Sequence, residues 1–234
     1  MRLHRFYSEN VLPAEGEIFR VENFELCHQW RKVFRYNVGS QVVMFDGNGF
    51  EALCQIEDFD HAAASLRVGQ RRPNRNRPSR EVHIFQSLIK KDNLEWVFQK
   101  GTELGVSYFH PLISDRSQKK SFNMERASKI VREASEQSGR AAPPNISEVL
   151  TMEEAMALTF PAVMAVLHGS GDRFSKFLET LAHCAIGVFI GPEGGWSDRE
   201  LAWFEKSHIP SFSLGHQTLR AETAAVAVST LLLL

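Results

Sequence analysis

The most constraining feature of this 234-residue chain is an apolar run that passes through a glycine-rich loop directly into a helix. The run ends at Ile190, and the loop is Gly191-Pro-Glu-Gly-Gly195. Ser197 and Glu200 have the spacing of a capping box, which predicts that a helix starts there. Such a junction is a natural ligand site in an open α/β sheet, because glycine lets backbone groups approach a ligand closely. A tight structural turn explains the glycines equally well.

From residue 81 onward, short apolar runs alternate with segments of helical periodicity, which predicts an α/β domain with a buried parallel sheet. The predicted strands cover residues 81–89, 108–113, 162–167, 186–190 and 211–214, and the predicted helices cover residues 93–104 and 123–138. Neither a GxGxxG nor a Gly-Lys-Ser/Thr motif is present, which argues against a dinucleotide-dependent dehydrogenase and a P-loop.

Residues 1–72 are predicted to form a small β-barrel with one short helix. Residues 41–45 and 50–56 flank a turn-forming Asp-Gly-Asn-Gly and predict a β-hairpin. Residues 23–36 have helical periodicity. Residues 67–80 are rich in arginine and contain two prolines, so we expect an exposed connector and place the domain boundary after residue 72.

The composition fits a soluble globular protein, with 43% hydrophobic and 24% charged residues. The formal net charge of −1 means that any nucleic-acid binding must rely on a local basic surface. Cys27, Cys54 and Cys184 form no CxxC pair, which argues against a disulfide framework or structural zinc and favours a cytoplasmic location. The apolar segment 221–234 is shorter than the ~20 residues of a membrane span, so it is interpreted as a buried core helix.

A second informative segment runs from Leu214 to Ala224, with the sequence LGHQTLRAETA. Arg220 and Glu222 lie where the apolar C-terminal helix is predicted to begin. Glu222 suits the positive end of the helix dipole, whereas Arg220 does not. That mismatch favours a functional Arg220, although a local ion pair between the two side chains is an alternative.

Taken together and in order, six motifs resemble the ribosomal RNA small-subunit methyltransferase E family, which belongs to the SPOUT superfamily. They are Phe45-Asp-Gly47, Lys100-Gly-Thr-Glu-Leu-Gly-Val106, Glu136-Gln-Ser-Gly-Arg140, Ile190-Gly-Pro-Glu-Gly-Gly195, Leu214-Gly215 and Leu219-Arg-Ala-Glu-Thr-Ala224. This resemblance covers nearly the whole chain. One departure is Gly169-Ser-Gly171, where family members often carry a proline.

The resemblance implies a PUA-like RNA-binding β-barrel domain over residues 1–72 and a knotted, SPOUT-type α/β methyltransferase domain over residues 73–234. It also implies a homodimer that uses S-adenosyl-L-methionine and no metal. The implied activity is methylation of N3 of a uridine in 16S rRNA within the assembled 30S subunit.

Three loops and the start of the last helix would hold the cofactor. The implied binding residues are Leu167, His168, Gly169, Ile190, Gly191, Pro192, Glu193, Gly194, Gly195, Leu214, Gly215, Leu219, Arg220, Thr223 and Ala224. The Arg220 guanidinium would stabilise the uracil anion that develops when N3 loses its proton. Either Glu193 or Glu222 would orient Arg220 or accept the proton, and the sequence does not choose between them.

Arginines are the expected RNA contacts, because the guanidinium fork suits phosphate. The candidates are Arg2, Arg5, Arg31, Arg35, Arg71, Arg72, Arg75 and Arg77. A solvated linker is the alternative for those in residues 67–80. Two alternative functions stay open: methylation of transfer or large-subunit RNA, and a non-catalytic RNA-binding assembly factor.

Overall fold

A computed structural model describes residues 3–60, 62–117, 121–158, 162–181 and 184–234. The chain divides into two compact units, Met1–Arg77 with Ser135–Pro143, and Pro78–Ala134 with Pro144–Leu234. Nothing in the sequence pattern indicated that residues 135–143 belong to the first unit. There the Tyr7 amide donates to Glu136 Oε1 at 2.9 Å, and the Ala141 amide donates to Asn76 O at 3.0 Å. The roles assigned to residues 1–72 and 73–234 stay predictions.

Among its described residues, the first unit contains one five-stranded sheet, one complete helix and the end of a second helix that begins in the other unit. Its elements are β1 (Arg5–Tyr7), β2 (Ile18–Val21), α1 (Phe24–Lys32), β3 (Gln41–Phe45), β4 (Phe50–Phe59) and β5 (Ala64–Pro73). The strand order is β1-β3-β4-β5-β2, parallel between β1 and β3 and antiparallel elsewhere. The predicted hairpin is confirmed as β3–β4, and the predicted helix is confirmed as α1. Asn23 Oδ1 accepts from the Leu26 amide at 2.9 Å and caps α1.

The prediction of an exposed connector over residues 67–80 was wrong for its first half, because β5 continues to Pro73. Arg71 and Arg72 lie opposite Ala52 and Glu51 of β4. On its other side, β5 is paired by β2 only over Ala64–Arg67. Proline is tolerated at the end of β5 because no ladder bond is required from its nitrogen on that open edge.

The second unit is an α/β domain, as predicted. Its elements are β6 (Val82–Ser87), α2 (Lys91–Leu104), β7 (Tyr108–Ile113), α3 (Met124–Ser138), β8 (Asn145–Ile146), β9 (Leu150–Thr151), α4 (Met152–Ala157), β10 (Ala162–Arg173), α5 (Phe174–Thr180), β11 (Ala185–Ile190), α6 (Asp198–Lys206), β12 (Ser211–Ser213) and α7 (Ala221–Leu233). The last four residues of α3, 135–138, belong to the first unit. The strand order is β12-β10-β11-β6-β7-β8, with β9 also on β7, and every pairing is parallel.

Apolar side chains cover both faces of this sheet. Phe98 of α2 and Val228 of α7 belong to one buried cluster, and Phe189 of β11 and Phe204 of α6 belong to another. The prediction that residues 221–234 form a buried core helix is confirmed for one side of α7, where Ala225, Val228 and Leu232 are buried, whereas Leu231 is 50% exposed. Among the described residues, no helix is long and apolar enough to span a membrane.

The strand order sets the position of the site. β7, the next strand in the chain, pairs with one side of β6, whereas β11 pairs with the other side of β6. Ligands in open α/β sheets bind at the carboxyl ends of strands near such a reversal. Here the carboxyl ends of β11 and β12 lead into two of the segments that the sequence singled out, and the third segment, residues 167–169, lies within β10.

Candidate active site

The second unit contains a cleft of about 390 Å³ at the carboxyl ends of β10, β11 and β12. Thirteen of the fifteen residues predicted to bind a cofactor line it: Leu167, His168, Gly169, Ile190, Gly191, Pro192, Glu193, Gly195, Leu214, Gly215, Leu219, Arg220 and Ala224. The other two, Gly194 and Thr223, are not in the lining. Segments far apart in the sequence therefore meet in one cavity.

The first wall of the cleft is a bulge in β10, not a loop that follows the strand as predicted. Leu167 and Asp172 both pair with Phe212 of β12, so residues 168–171 are unpaired. Gly171, which belongs to the segment that departs from the family motif, lies directly against the backbone of β12. A Cβ there would lie 2.5 Å from Phe212 N and Ser211 C, so only glycine fits against this backbone.

The glycine loop after β11 forms the second wall. The Gly195 amide donates to Pro192 O at 2.9 Å, and Gly195 has a φ of +69°, in the left-handed region that favours glycine. Trp196, only 3% exposed, lies against Gly191. The predicted capping box is confirmed, because the Glu200 amide donates to Ser197 Oγ and the Ser197 amide donates to Glu200 Oε2.

The third wall runs from Ser213 to the start of α7. Ser213 Oγ donates to Gly215 O at 2.9 Å, and Gly215 has a φ of +153°. Arg173 Nη2 donates to His216 Nε2 at 3.0 Å, which places a second arginine beside the lining. The sequence interpretation missed His216, because a single histidine in a loop carries no signal without the fold.

The three predicted catalytic residues are not all in the cleft. Arg220 and Glu193 line it with exposed side chains, whereas Glu222 does not. Arg220 precedes α7 and makes no side-chain capping bond. Among the described residues, Glu222 Oε2 is buried without a hydrogen-bond partner and no ion pair joins Glu222 to Arg220. The alternative of a local structural pair is therefore wrong.

Seven further residues line the cleft that were not predicted to bind a cofactor. They are Trp196, Phe212, Ser213, His216, Gln217, Thr218 and Ala221. His216, Gln217 and Thr218 lie between the predicted residues Gly215 and Leu219, and the other four lie within two positions of a predicted residue. No group of three or more metal-ligating side chains occurs in the part of the chain that the structure describes.

The arginines predicted to bind RNA differ in exposure and in the contacts that their guanidinium groups make within the protein. Arg5 and Arg72 both bind the buried Glu51, at 2.9 and 2.6 Å. Arg31 and Arg71 lie over the rings of Phe59 and Phe50, at 5.6 and 4.4 Å from the ring centroids. The exposed members of the set are Arg35, Arg72, Arg75 and Arg77. Arg2 lies outside the described residues.

Comparison with known proteins now identifies the class. Residues 75–233 match the family model of the RNA methyltransferase domain. Fold, cleft and matched domain together define a protein of the RNA methyltransferase class.

Two curated relatives narrow this class. The ribosomal RNA small subunit methyltransferase E of Rickettsia conorii is 30% identical over 97% of this chain and 93% of the relative. The protein of the same name from Bacillus subtilis is 31% identical over 90% of this chain and 87% of the relative. The chain belongs to the ribosomal RNA small subunit methyltransferase E family, which confirms the resemblance.

Solved structures agree with this assignment. A Legionella pneumophila methyltransferase, in complex with the bound cofactor S-adenosylmethionine, has a TM-score of 0.91 and 26% identity, covering 99% of this chain and 97% of that one. A Neisseria gonorrhoeae ribosomal RNA small subunit methyltransferase E bound to S-adenosylmethionine has a TM-score of 0.89. At 24% identity over 98% of this chain and 96% of its own, it supports the fold alone.

Proposed function

We propose that this protein transfers a methyl group from S-adenosylmethionine to N3 of a uridine in 16S rRNA within the assembled 30S subunit. The observation that carries the proposal is the convergence of residues 167–169, 190–195 and 214–219 on one cleft that also contains Arg220. Membership of the ribosomal RNA small subunit methyltransferase E family supports the same reaction.

The cleft fits the proposed cofactor in size and chemistry. Its volume of about 390 Å³ falls in the range of small-molecule pockets, about 300–1,000 Å³. Leu167, Ile190 and Leu214 supply apolar surface for a flat purine. Gly191 and Gly215 have no side chain, so backbone amides and carbonyls can approach the adenine and ribose closely. S-adenosylmethionine supplies an electrophilic methyl group on sulfur when it is bound.

The side chains of the cleft would act on the uracil. Neutral N3–H is a poor nucleophile, so negative charge must develop on the ring as the proton leaves. The positively charged Arg220 guanidinium, placed near O2 or O4, would stabilise that charge. Glu193 lines the cleft and Glu222 does not, so we favour Glu193 as the proton acceptor. Alignment of the base with the methyl group would lower the barrier further.

The remaining features of the proposal concern RNA and assembly. The exposed Arg35, Arg72, Arg75 and Arg77 would contact phosphates, and the first unit would serve as a PUA-like RNA-binding β-barrel. We also propose a trefoil knot in the second unit, a homodimer and a cytoplasmic location, and the resemblance to the family supports these features.

A two-stage experiment tests the function. Calorimetric titration of the protein with S-adenosylmethionine should give saturable one-site binding. Labelled S-adenosylmethionine should then methylate unmodified 30S subunits but not transfer RNA or 50S subunits. Absence of cofactor binding would favour an assembly factor, whereas transfer to another RNA would favour a different methyltransferase activity.

A further inference from the structure

The glycine loop, residues 191–195, is contacted by a second loop that does not line the cleft. It follows β7 and comprises Ser114–Ser117. Arg116 Nη1 donates to the carbonyl of Gly194 at 2.9 Å. A Cβ added to Gly194 would lie 3.3 Å from Arg116 Cβ, so the two residues are in close contact. Gly194 does not line the cleft, although its neighbours Glu193 and Gly195 do.

Buried and charged groups fix the backbone from which Arg116 extends. The Glu200 carboxylate is fully buried and accepts from the Asp115 amide at 2.9 Å and from the Ser197 amide at 2.8 Å. The Asp115 carboxylate accepts from Ser197 Oγ and from Arg199. Hydrogen bonds from Arg199 and Ser197 lower the pKa of Asp115, so this carboxylate stays ionised near neutral pH.

The loop after β7 closes on itself as well. The Ser117 amide donates to Ser114 O at 3.0 Å, and the Ser114 amide donates to Ser117 Oγ at 3.2 Å. Arg116 therefore extends from a closed turn that is tied to the start of α6, which limits where its guanidinium can lie.

The Gly194 carbonyl, which accepts from Arg116, belongs to a peptide group whose plane can reorient easily. It joins Gly194 to Gly195, and no Cβ on either side opposes reorientation of the peptide plane. That plane carries the Gly195 amide, which donates to Pro192 O and closes the turn. The charged hydrogen bond from Arg116 to the Gly194 carbonyl stabilises the orientation of the peptide plane in which the Gly195 amide can donate to Pro192 O.

We propose that Arg116 is a positioning residue for the cofactor, which acts by locking the Gly194–Gly195 peptide and so preorganising the glycine loop. This inference rests on the proposed function, because it assumes that the loop binds S-adenosylmethionine. Preorganisation lowers the cost of ordering the loop on binding, so its loss weakens cofactor affinity and leaves the methyl-transfer step unchanged at saturation.

Cofactor titration of Arg116→Ala, Arg116→Lys and wild-type protein tests this inference. In Arg116→Ala, the Kd and KM for S-adenosylmethionine should rise about tenfold, the effect of one lost charge-assisted hydrogen bond. The kcat at saturating cofactor should not change. Arg116→Lys should recover part of the affinity, because an ammonium group can donate to the same carbonyl. The thermal midpoint should stay near the wild-type value, because the Arg116 side chain is exposed.

Two further variants test whether the effect is specific to the contact between Arg116 and Gly194. Arg126→Ala is the matched control, because Arg126 is an exposed arginine of the same unit whose guanidinium binds Glu95 and no cleft loop. It should bind the cofactor like wild type. Gly194→Ala disturbs the same contact from the other side and should also raise the Kd.

The outcomes separate the positioning role from the function itself. Wild-type protein that binds no S-adenosylmethionine overturns the proposed function and this inference with it. Wild-type binding with unchanged affinity in Arg116→Ala overturns the inference alone. A fall in kcat at constant KM, or weaker binding that Lys does not restore and that accompanies a lower thermal midpoint, also overturns it.

Discussion

The indole Nε1 of Trp196 donates to the carbonyl of Leu167 at 3.1 Å. This bond joins the wall formed by the β10 bulge to the wall formed by the glycine loop. The ring of the same tryptophan lies against Gly191, where an added Cβ would be 3.2 Å from the indole. The buried Trp196 side chain therefore sets the spacing between these two walls of the cleft.

Replacement of Trp196 by Phe should weaken cofactor binding, because the Leu167 carbonyl loses its donor and becomes free to rotate. We expect a loss of about 1–2 kcal/mol in the free energy of unfolding, the usual cost of one unmade buried hydrogen bond. Urea denaturation and cofactor calorimetry measure the two effects. Trp96→Phe is the control, since Trp96 is 41% exposed and does not line the cleft. Cofactor affinity equal to that of wild type would contradict the role given to Trp196.

Replacement of Gly191 by Ala should destabilise the folded chain by about 1–3 kcal/mol, because the new methyl group meets a rigid, buried indole. Gly169→Ala is the matched control from the same cleft, since an added Cβ there meets no atom within 4 Å. Thermal unfolding of both variants without cofactor measures the difference. Equal midpoints for the two variants would show that Trp196 does not fill the space beside Gly191.

Removal of Arg75 or Arg77 should reduce the salt dependence of RNA binding. If each contacts one phosphate, the slope of log affinity against log salt should become shallower by about 0.7 per variant on single-stranded RNA. Arg5→Ala should instead lower the free energy of unfolding by roughly 1–3 kcal/mol, because Arg5 binds the buried Glu51. Filter binding of rRNA fragments between low and high salt makes the comparison. Wild-type slopes in both Arg75→Ala and Arg77→Ala would remove these arginines from the interface.

Protein stability should fall as the pH drops from 6.5 towards 4. Burial and the neighbouring His83 lower the pKa of His110 from 6.5 to about 4, so the unfolded chain binds a proton that the folded chain rejects. Above pH 6.5, His110 is neutral in both the folded and the unfolded chain and does not lower the free energy of unfolding. At pH 4, its protonation in the unfolded chain lowers the free energy of unfolding by about 3 kcal/mol. Urea denaturation across this range should show a shallower dependence in His110→Asn. The exposed His28 supplies the control His28→Asn, and equal slopes in wild type and His110→Asn would contradict the assignment.

Periodicity located several of the longer elements of the fold, but it did not locate the ten-residue strand Ala64–Pro73 or the two-residue strands. The strands at residues 108–113 and 186–190, and the helix that ends before Gly105, were located within a few residues. Two-residue strands such as Asn145–Ile146 leave no alternation to detect, because neighbouring strands define them through hydrogen bonds. The proline rule failed at Pro73, because the openness of a sheet edge depends on strand order.

The site was predictable in outline and not in detail. The glycine pattern alone did not distinguish a ligand loop from a tight turn, and the family resemblance brought the three segments together. Gly194 was predicted to bind the cofactor because of its place in the motif, whereas its carbonyl faces Arg116. No local pattern links Arg116 to Gly194, since 78 residues separate them in the chain. Contacts of this kind depend on the tertiary fold.

In the proposed enzyme, one cleft holds S-adenosylmethionine beside a catalytic Arg220. The most direct test incubates unmodified 30S subunits and labelled S-adenosylmethionine with wild-type protein or Arg220→Ala, and maps the modified nucleoside. Wild type should yield N3-methyluridine at one position. Arg220→Ala should bind the cofactor, unfold at the wild-type temperature and transfer methyl at least ~100-fold more slowly, as expected when a group that stabilises the developing negative charge is lost. Wild-type turnover by Arg220→Ala, or a label on another base, would contradict this account.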